Sequence, residues 1–203
     1  MTCLEHINEY LQLGAADDAY CKQLLPEAQA VKRRRTLLQQ GLPFSYLLYV
    51  ESGLLRSFLT DSKGQEHVIQ FAPAGSWIPD NFLAAGEKPS PVSIDTVMAS
   101  KVLLLPLGDY DLLLQKVPRL QDYFRKVMQD RIQALQLRVI NYLTHATADK
   151  YQMFEEIYPD IAVQAPRHMI ASYLGIQPET LSRKAGKRAA EHGPGAVLQG
   201  PVD

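Results

Sequence analysis

The chain has 203 residues, a formal net charge of −1, 46% hydrophobic residues and 21% charged ones. That is the composition of a folded globular chain of one large or two small domains. The near-neutral total excludes whole-molecule attraction to a polyanion, so any such partner must meet local charge. No apolar run approaches the roughly 20 residues of a membrane helix, so no membrane association is expected.

The opening segment MTCLEHINEYLQLG carries Glu5 and other polar residues early, unlike an export signal, so a cytoplasmic location is expected. Cys3 and Cys21 are the only cysteines, too few for a four-cysteine cluster or zinc site, and free thiols are expected. The histidines are scattered with no His-x-x-x-His pair, so no metal and no cofactor are expected.

In chain order, residues 4–25 read as helical, with Leu4, Ile7, Leu11, Leu24 and Leu25 apolar. The basic run Lys32-Arg33-Arg34-Arg35 reads as a solvated strand or loop. From Arg35 strands follow: 45–51, a turn at Ser52-Gly53, 54–60, a hairpin signal at Asp61-Ser62-Lys63-Gly64, and then 66–71. A turn at 72–75, a short segment from Trp77-Ile78, and strands 92–99 and 101–105 complete the series. Short strands with regular turn signals predict a β-sandwich or barrel.

After Pro106 the pattern turns helical. A short helix is expected over 109–115 and a long one from Pro118 to about His145. Tyr123 or Phe124, Val127 or Met128, Ile132, Leu135, Val139 and Tyr142 repeat every three to four residues. A helix of roughly 28 residues spans about 42 Å, more than a small barrel covers. Its apolar stripe suits a second copy of the chain, although a helix lying along its own barrel satisfies the same pattern. Another helix is expected over 151–158, closed by Pro159.

Residues 166–188 read as two short helices joined by a tight turn. The first runs from Arg167 to Leu174, and Gly175 stands where a left-handed residue ends a helix. Pro178 and Glu179 suit the first turn of the second helix, and Leu181 faces back toward Ala171 and Leu174. This is a helix-turn-helix layout, and an ordinary surface helix pair is the plain alternative. From Arg167 onward five basic residues against three acidic ones leave that end at +2. The Gly- and Pro-rich residues 189–203 read as a disordered tail.

A barrel, a long helix and a terminal helix-turn-helix together resemble the cyclic-AMP-receptor/fumarate-nitrate-regulator (CRP/FNR) family of bacterial transcription factors. The residues that carry the resemblance are Tyr49-Val50-Glu51-Ser52-Gly53, Asp61-Ser62-Lys63-Gly64-Gln65-Glu66, the run 71–78, and 168–183 with Ile-Ala-x-x-Leu-Gly-Ile and Glu-Thr-Leu-Ser-Arg. It covers about residues 20 to 185. It implies an α+β protein with an N-terminal antiparallel β-barrel or jelly roll of cupin-like double-stranded β-helix form as sensor over 1–116. A dimerisation helix over 117–147 and a helix-turn-helix domain over 148–188 would follow, the latter, in a departure from the family, without a β-hairpin wing.

The resemblance makes Arg167, His168, Gln177, Glu179, Thr180, Ser182, Arg183 and Lys187 the candidate DNA-contacting residues, with Glu179, Ser182 and Arg183 as base readers. Candidate ligand-pocket residues are Trp77, Ile78, Asp80, Asn81, Lys88 and Ser90. Cyclic-nucleotide-binding members of the family carry Gly-Glu after the aromatic segment and Arg-Ser further on. Here those sites read Ile78-Pro79-Asp80-Asn81 and Lys88-Pro89-Ser90-Pro91, and no arginine lies between Arg56 and Arg119. Lys88 offers charge but not the guanidinium fork that pairs a phosphate, so no tight cyclic AMP binding is expected. A second departure is Lys184-Ala185-Gly186, where a glycine inside a helix costs about 1 kcal/mol.

The expected function is a homodimeric transcription regulator that binds DNA, responds to an unknown small-molecule effector or to none, and is no enzyme. A small-molecule or protein-interaction sensor that has lost competent DNA binding is the alternative. A barrel enzyme using His67 and Glu66 on a metal is a third, weaker reading.

Overall fold

The computed structural model describes residues 1–78 and 89–177. The helical opening is two helices, α1 (Cys3–Leu11) and α2 (Ala15–Leu24), separated where Gln12 takes a left-handed φ of 49°. A capping box starts α1: the Glu5 N–H donates to Thr2 Oγ1 at 3.2 Å and the Thr2 N–H to the Glu5 carboxylate at 2.7 Å. Both donors would otherwise lack partners in a first helical turn.

Eight strands follow: β1 (Gln29–Val31), β2 (Thr36–Leu38), β3 (Tyr46–Ser52), β4 (Leu54–Thr60), β5 (Glu66–Pro73), β6 (Trp77–Ile78), β7 (Ser93–Thr96) and β8 (Ser100–Pro106). They form two antiparallel four-stranded sheets, ordered β1-β8-β3-β6 and β2-β7-β4-β5. The basic run is the exposed turn between β1 and β2, with Arg34 at φ 59°. Thr96 holds that turn: its Oγ1 donates to Lys32 O at 2.7 Å and accepts from Arg35 N at 2.9 Å.

The chain stacks in four layers. Between the sheets, Leu48, Val50, Ile78 and Val102 meet Leu38, Leu55, Ala72 and Ile94. On the outer face of the first sheet, Leu47, Tyr49, Leu103 and Leu105 pack on α1, α2, α3 (Leu107–Lys116) and the first turn of α4 (Leu120–Thr144). On the outer face of the second, Leu54, Phe58, Val68 and Phe71 pack on α5 (Thr147–Ile157), α6 (Pro159–Gln164) and α7 (Arg167–Leu174). Helices on both sides explain why Leu47 to Val50 of β3 form an unbroken apolar run and why Leu54 to Phe58 of β4 are all buried, since neither face of these segments meets water. Pro159 ends one helix, as its sequence position suggests, and also opens α6.

One charge sits inside that stack. Arg56, only 5% exposed, forks onto Asp95 at 2.8 and 2.9 Å and reaches Glu66 at 2.7 Å. Burial opposes its charge, but the two carboxylates outweigh that and raise its pKa. A bidentate pair is the geometry in which a buried guanidinium is tolerated.

The long helix has 25 residues and spans about 37 Å at 1.5 Å per residue. Its apolar stripe divides. Leu120, Tyr123 and Phe124 are buried against the chain's own first sheet and the helices beside it. Further along, Ile132, Val139, Ile140 and Leu143 are 52%, 56%, 51% and 74% exposed.

Candidate effector cavity and reading head

A cavity of about 350 Å³ opens between β5, β6, the long helix and the helices beyond it. Gln70, Phe71, Trp77, Arg131, Ala134 and Tyr158 are among its walls. A bulge turns Gln70 inward: β4 pairs Ser57 with Gln70 and Phe58 with Val68, which leaves Ile69 as the extra residue. Val68 and Phe71 therefore share the outer cluster while Ala72 lies between the sheets. Gln70 Oε1 and its cross-strand neighbour Ser57 Oγ are both buried with no hydrogen-bond partner among the described residues. A buried acceptor left unmatched costs about 1–3 kcal/mol, so a ligand donor reaching Gln70 would recover that energy.

Trp77 is buried and wired to the long helix. Its Nε1–H donates to Tyr123 Oη at 2.7 Å, and Tyr123 Oη lies 2.8 Å from His6 Nδ1. With the oxygen already accepting from the indole, every group is used when the Tyr123 hydroxyl donates to a neutral His6. Burial holds the His6 pKa below its usual 6.5, against the smaller opposing effect of Glu9. Burial likewise pushes the Tyr123 hydroxyl up, out of the range where it would ionise.

Tyr123→Phe strands the indole N–H and is expected to cost about 1–3 kcal/mol in urea unfolding. His6 also sets a pH window. Because its folded pKa is depressed, the stability it contributes is present above pH 6.5 and is lost as pH falls below that value. Unfolding titrations between pH 7 and 5 should show that slope in the native chain and a shallower one in His6→Asn.

Two of the other residues expected in the pocket, Ile78 and Ser90, lie elsewhere. Ile78 is buried between the sheets. Ser90 closes a local turn, donating to Val92 O at 2.9 Å and accepting from Val92 N at 3.2 Å. Asp80, Asn81 and Lys88 fall outside the described residues. Gln70, Arg131 and Ala134 were not singled out by sequence reasoning. The available signal was Gln70 within the otherwise apolar run Val68 to Ala72 of β5.

The first helix of the expected helix-turn-helix is α7, ended by Gly175 at φ 65°. Ile176 N–H donates back to Ala171 O at 3.0 Å and Gly175 N–H to Ser172 O at 3.2 Å, the closing pattern of a left-handed cap. The turn is tight, because a Cβ on Gly175 would lie 3.1 Å from Tyr142 Cε2 of the long helix. Ile170 and Ala171 are fully buried, while Arg167, His168 and Gln177 are exposed. Glu179, Thr180, Ser182, Arg183 and Lys187 lie outside the described residues, as do the absence of a wing and the tail 189–203.

This head is fastened to the sensor. Val68 N–H donates to Ser172 Oγ at 2.9 Å, and that hydroxyl donates to Glu66 O at 2.9 Å. Ser172 thus satisfies backbone groups on the open edge of β5, which would otherwise offer itself to another strand.

A two-sheet jelly roll with a cavity against a long helix defines a class, and residues 28–117 match the model of the cyclic nucleotide-binding domain. Over 193 residues the chain is 26% identical to the transcriptional regulatory protein btr of Bordetella pertussis, covering 89% of this chain and 78% of that one. It is 23% identical to the transcriptional activator protein anr of Pseudomonas aeruginosa, covering 85% and 75%. Among solved structures it is similar to FixK2 from Bradyrhizobium japonicum, with a TM-score of 0.71, 14% identity and coverage of 86% and 88%. Residues 28–117 therefore form a domain of the cyclic nucleotide-binding kind, and over most of its length the chain is similar to transcriptional regulators of the CRP/FNR type. Among the described residues no group of three or more His, Cys, Asp or Glu could hold a metal ion, and no helix is long and apolar enough to cross a membrane.

Proposed function

We propose that the chain works in the cytoplasm as a homodimer that binds DNA through residues 166–188, with an effector cavity that does not select cyclic AMP. The observation that carries this reading is the α7–Gly175 turn, which presents Arg167, His168 and Gln177 to solvent while Ile170 and Ala171 anchor the helix. Paired long helices would set two heads at the roughly 34 Å spacing of successive major grooves. Arg183 suits a guanine edge, and Ser182 and Glu179 complete the readers.

Fluorescence anisotropy against random genomic fragments at several salt concentrations tests it. A sequence-selective complex is expected, and Arg183→Ala should relax that selectivity at a cost of about 1–3 kcal/mol. Isothermal titration with cyclic AMP and cyclic GMP tests the cavity: no micromolar binding is expected, because the ligand loop carries no arginine.

The fastening of α7 to the edge of β5 favours a second reading, a sensor or interaction module without competent DNA binding. Equal affinity for every fragment would support it and reject the first.

A further inference from the structure

A second cavity, of about 330 Å³, lies where the edge strand β5, the long helix, α5 and α7 meet. Leu135, Val139, Tyr142, Met153 and Phe154 make its walls largely apolar. Its charged residues are all basic: among the described residues His67, Arg138 and Lys150 line it, and no Asp or Glu does. His67 is engaged elsewhere, 3.0 Å from Asp61.

Arg138 has an unusual set of partners. It donates to Ile69 O at 2.5 Å, Val68 O at 3.2 Å and Tyr173 O at 2.7 Å, all neutral carbonyls, and lies 4.1 Å over the Tyr173 ring. No carboxylate among the described residues pairs with it. Burial therefore disfavours its charge and pulls its pKa down, with Arg131 adding to the effect and Tyr173 and Tyr158 opposing it. Lys150 also lies over a ring, its Nζ 4.1 Å from the centroid of Tyr142, and no ion pair joins it to a carboxylate among the described residues. The contrast with Arg56, which carries two carboxylates, is direct.

An apolar chamber with two cations that no carboxylate among the described residues pairs favours a ligand with an apolar body and one negative end. The volume sits at the small end of the roughly 300–1,000 Å³ typical of ligand pockets. We propose that this joint is a binding site for a small amphipathic carboxylate, its body against Leu135, Met153 and Phe154 and its anion on Lys150 and Arg138. Such an occupant touches sensor edge, long helix and head at once. Its affinity therefore depends on where the head sits, and its binding biases that position in return.

The test is isothermal titration of the full chain with 4-phenylbutyrate and with its neutral amide, 4-phenylbutyramide. The acid should bind at least tenfold more tightly, about 1.4 kcal/mol. Lys150→Gln should bring the acid down toward the amide while leaving the amide unchanged. Met153→Trp, which fills the chamber, should weaken both. Arg138 also holds β5 and is not the variant to use. The proposal is overturned if acid and amide bind alike, if neither binds, or if the acid is indifferent to both substitutions. No DNA enters the measurement, so its failure is separate from failure of the DNA-binding reading.

Discussion

Alanine in place of Gly53 is expected to cost about 3–5 kcal/mol, one of the largest single effects available in this chain. Gly53 carries the chain from β3 in one sheet to β4 in the other, at φ 93°. A Cβ there would stand 2.3 Å from Ser100 Oγ, 2.7 Å from Ala99 O and 2.7 Å from Ser100 Cα. The hydroxyl could rotate away, but the other two contacts are backbone at the start of β8, which pairs along the whole of β3. Relief therefore means moving a central strand of the first sheet, in addition to about 1–3 kcal/mol of backbone strain. At roughly 2–4 °C per kcal/mol for a chain of this size, the melting temperature should fall by about 10 °C. Calorimetry showing an unchanged transition would mean that the two sheets are not joined this tightly at Gly53.

The sequence made the central strands legible for physical reasons that are local. Asp61 to Gly64 form a hairpin turn whose Asp61 carboxylate accepts from Lys63 N at 2.8 Å and Gln65 N at 3.0 Å. Such side-chain turns depend on neighbours only. The strands β1 and β2 were not legible, because three residues carry no period and what holds them comes from far along the chain. Their partners are β8 and β7, and the hydroxyl that fixes the turn between them is that of Thr96.

The helix-turn half of the head was legible through Ala171 and Gly175, because a helix end is written in its own residues. Its docking on β5 was not, since Ser172 is an ordinary helix residue until it meets an open strand edge. Gln70 shows the same limit within the cavity. Strict alternation would put it on the same face as Val68, and only the bulge at Ile69 turns it inward. The long helix was half legible: its apolar repeat is plain, but the change from own-sensor packing to exposure after Val127 depends on where the sensor ends.

That exposed half of the helix supports the other large effect. Replacing Val139 and Leu143 together by glutamate is expected to turn the proposed dimer into a monomer, raising its dissociation constant at least 100-fold, about 2.7 kcal/mol. Ile132, Gln136, Val139 and Leu143 follow the alternating four- and three-residue steps of a paired-helix seam. Phe124, Val127, Arg131, Ala134 and Arg138 take the opposite face, which is buried or half-buried on the same chain. The two faces are therefore distinct; Val139 also borders the chamber at the joint, whereas Leu143 does not line it. Because Val139 and Leu143 are exposed in the single chain, its own unfolding free energy should move by no more than about 0.5 kcal/mol. Sedimentation velocity reads the first effect and urea unfolding at low protein concentration the second. A monomer meets one half-site instead of two, so selectivity in the anisotropy experiment should fall along with the dimer. If the double variant still sediments as a dimer, the pairing surface lies elsewhere. If the native chain is already a monomer at micromolar concentration, the exposed stripe needs another occupant and the paired-head geometry is wrong.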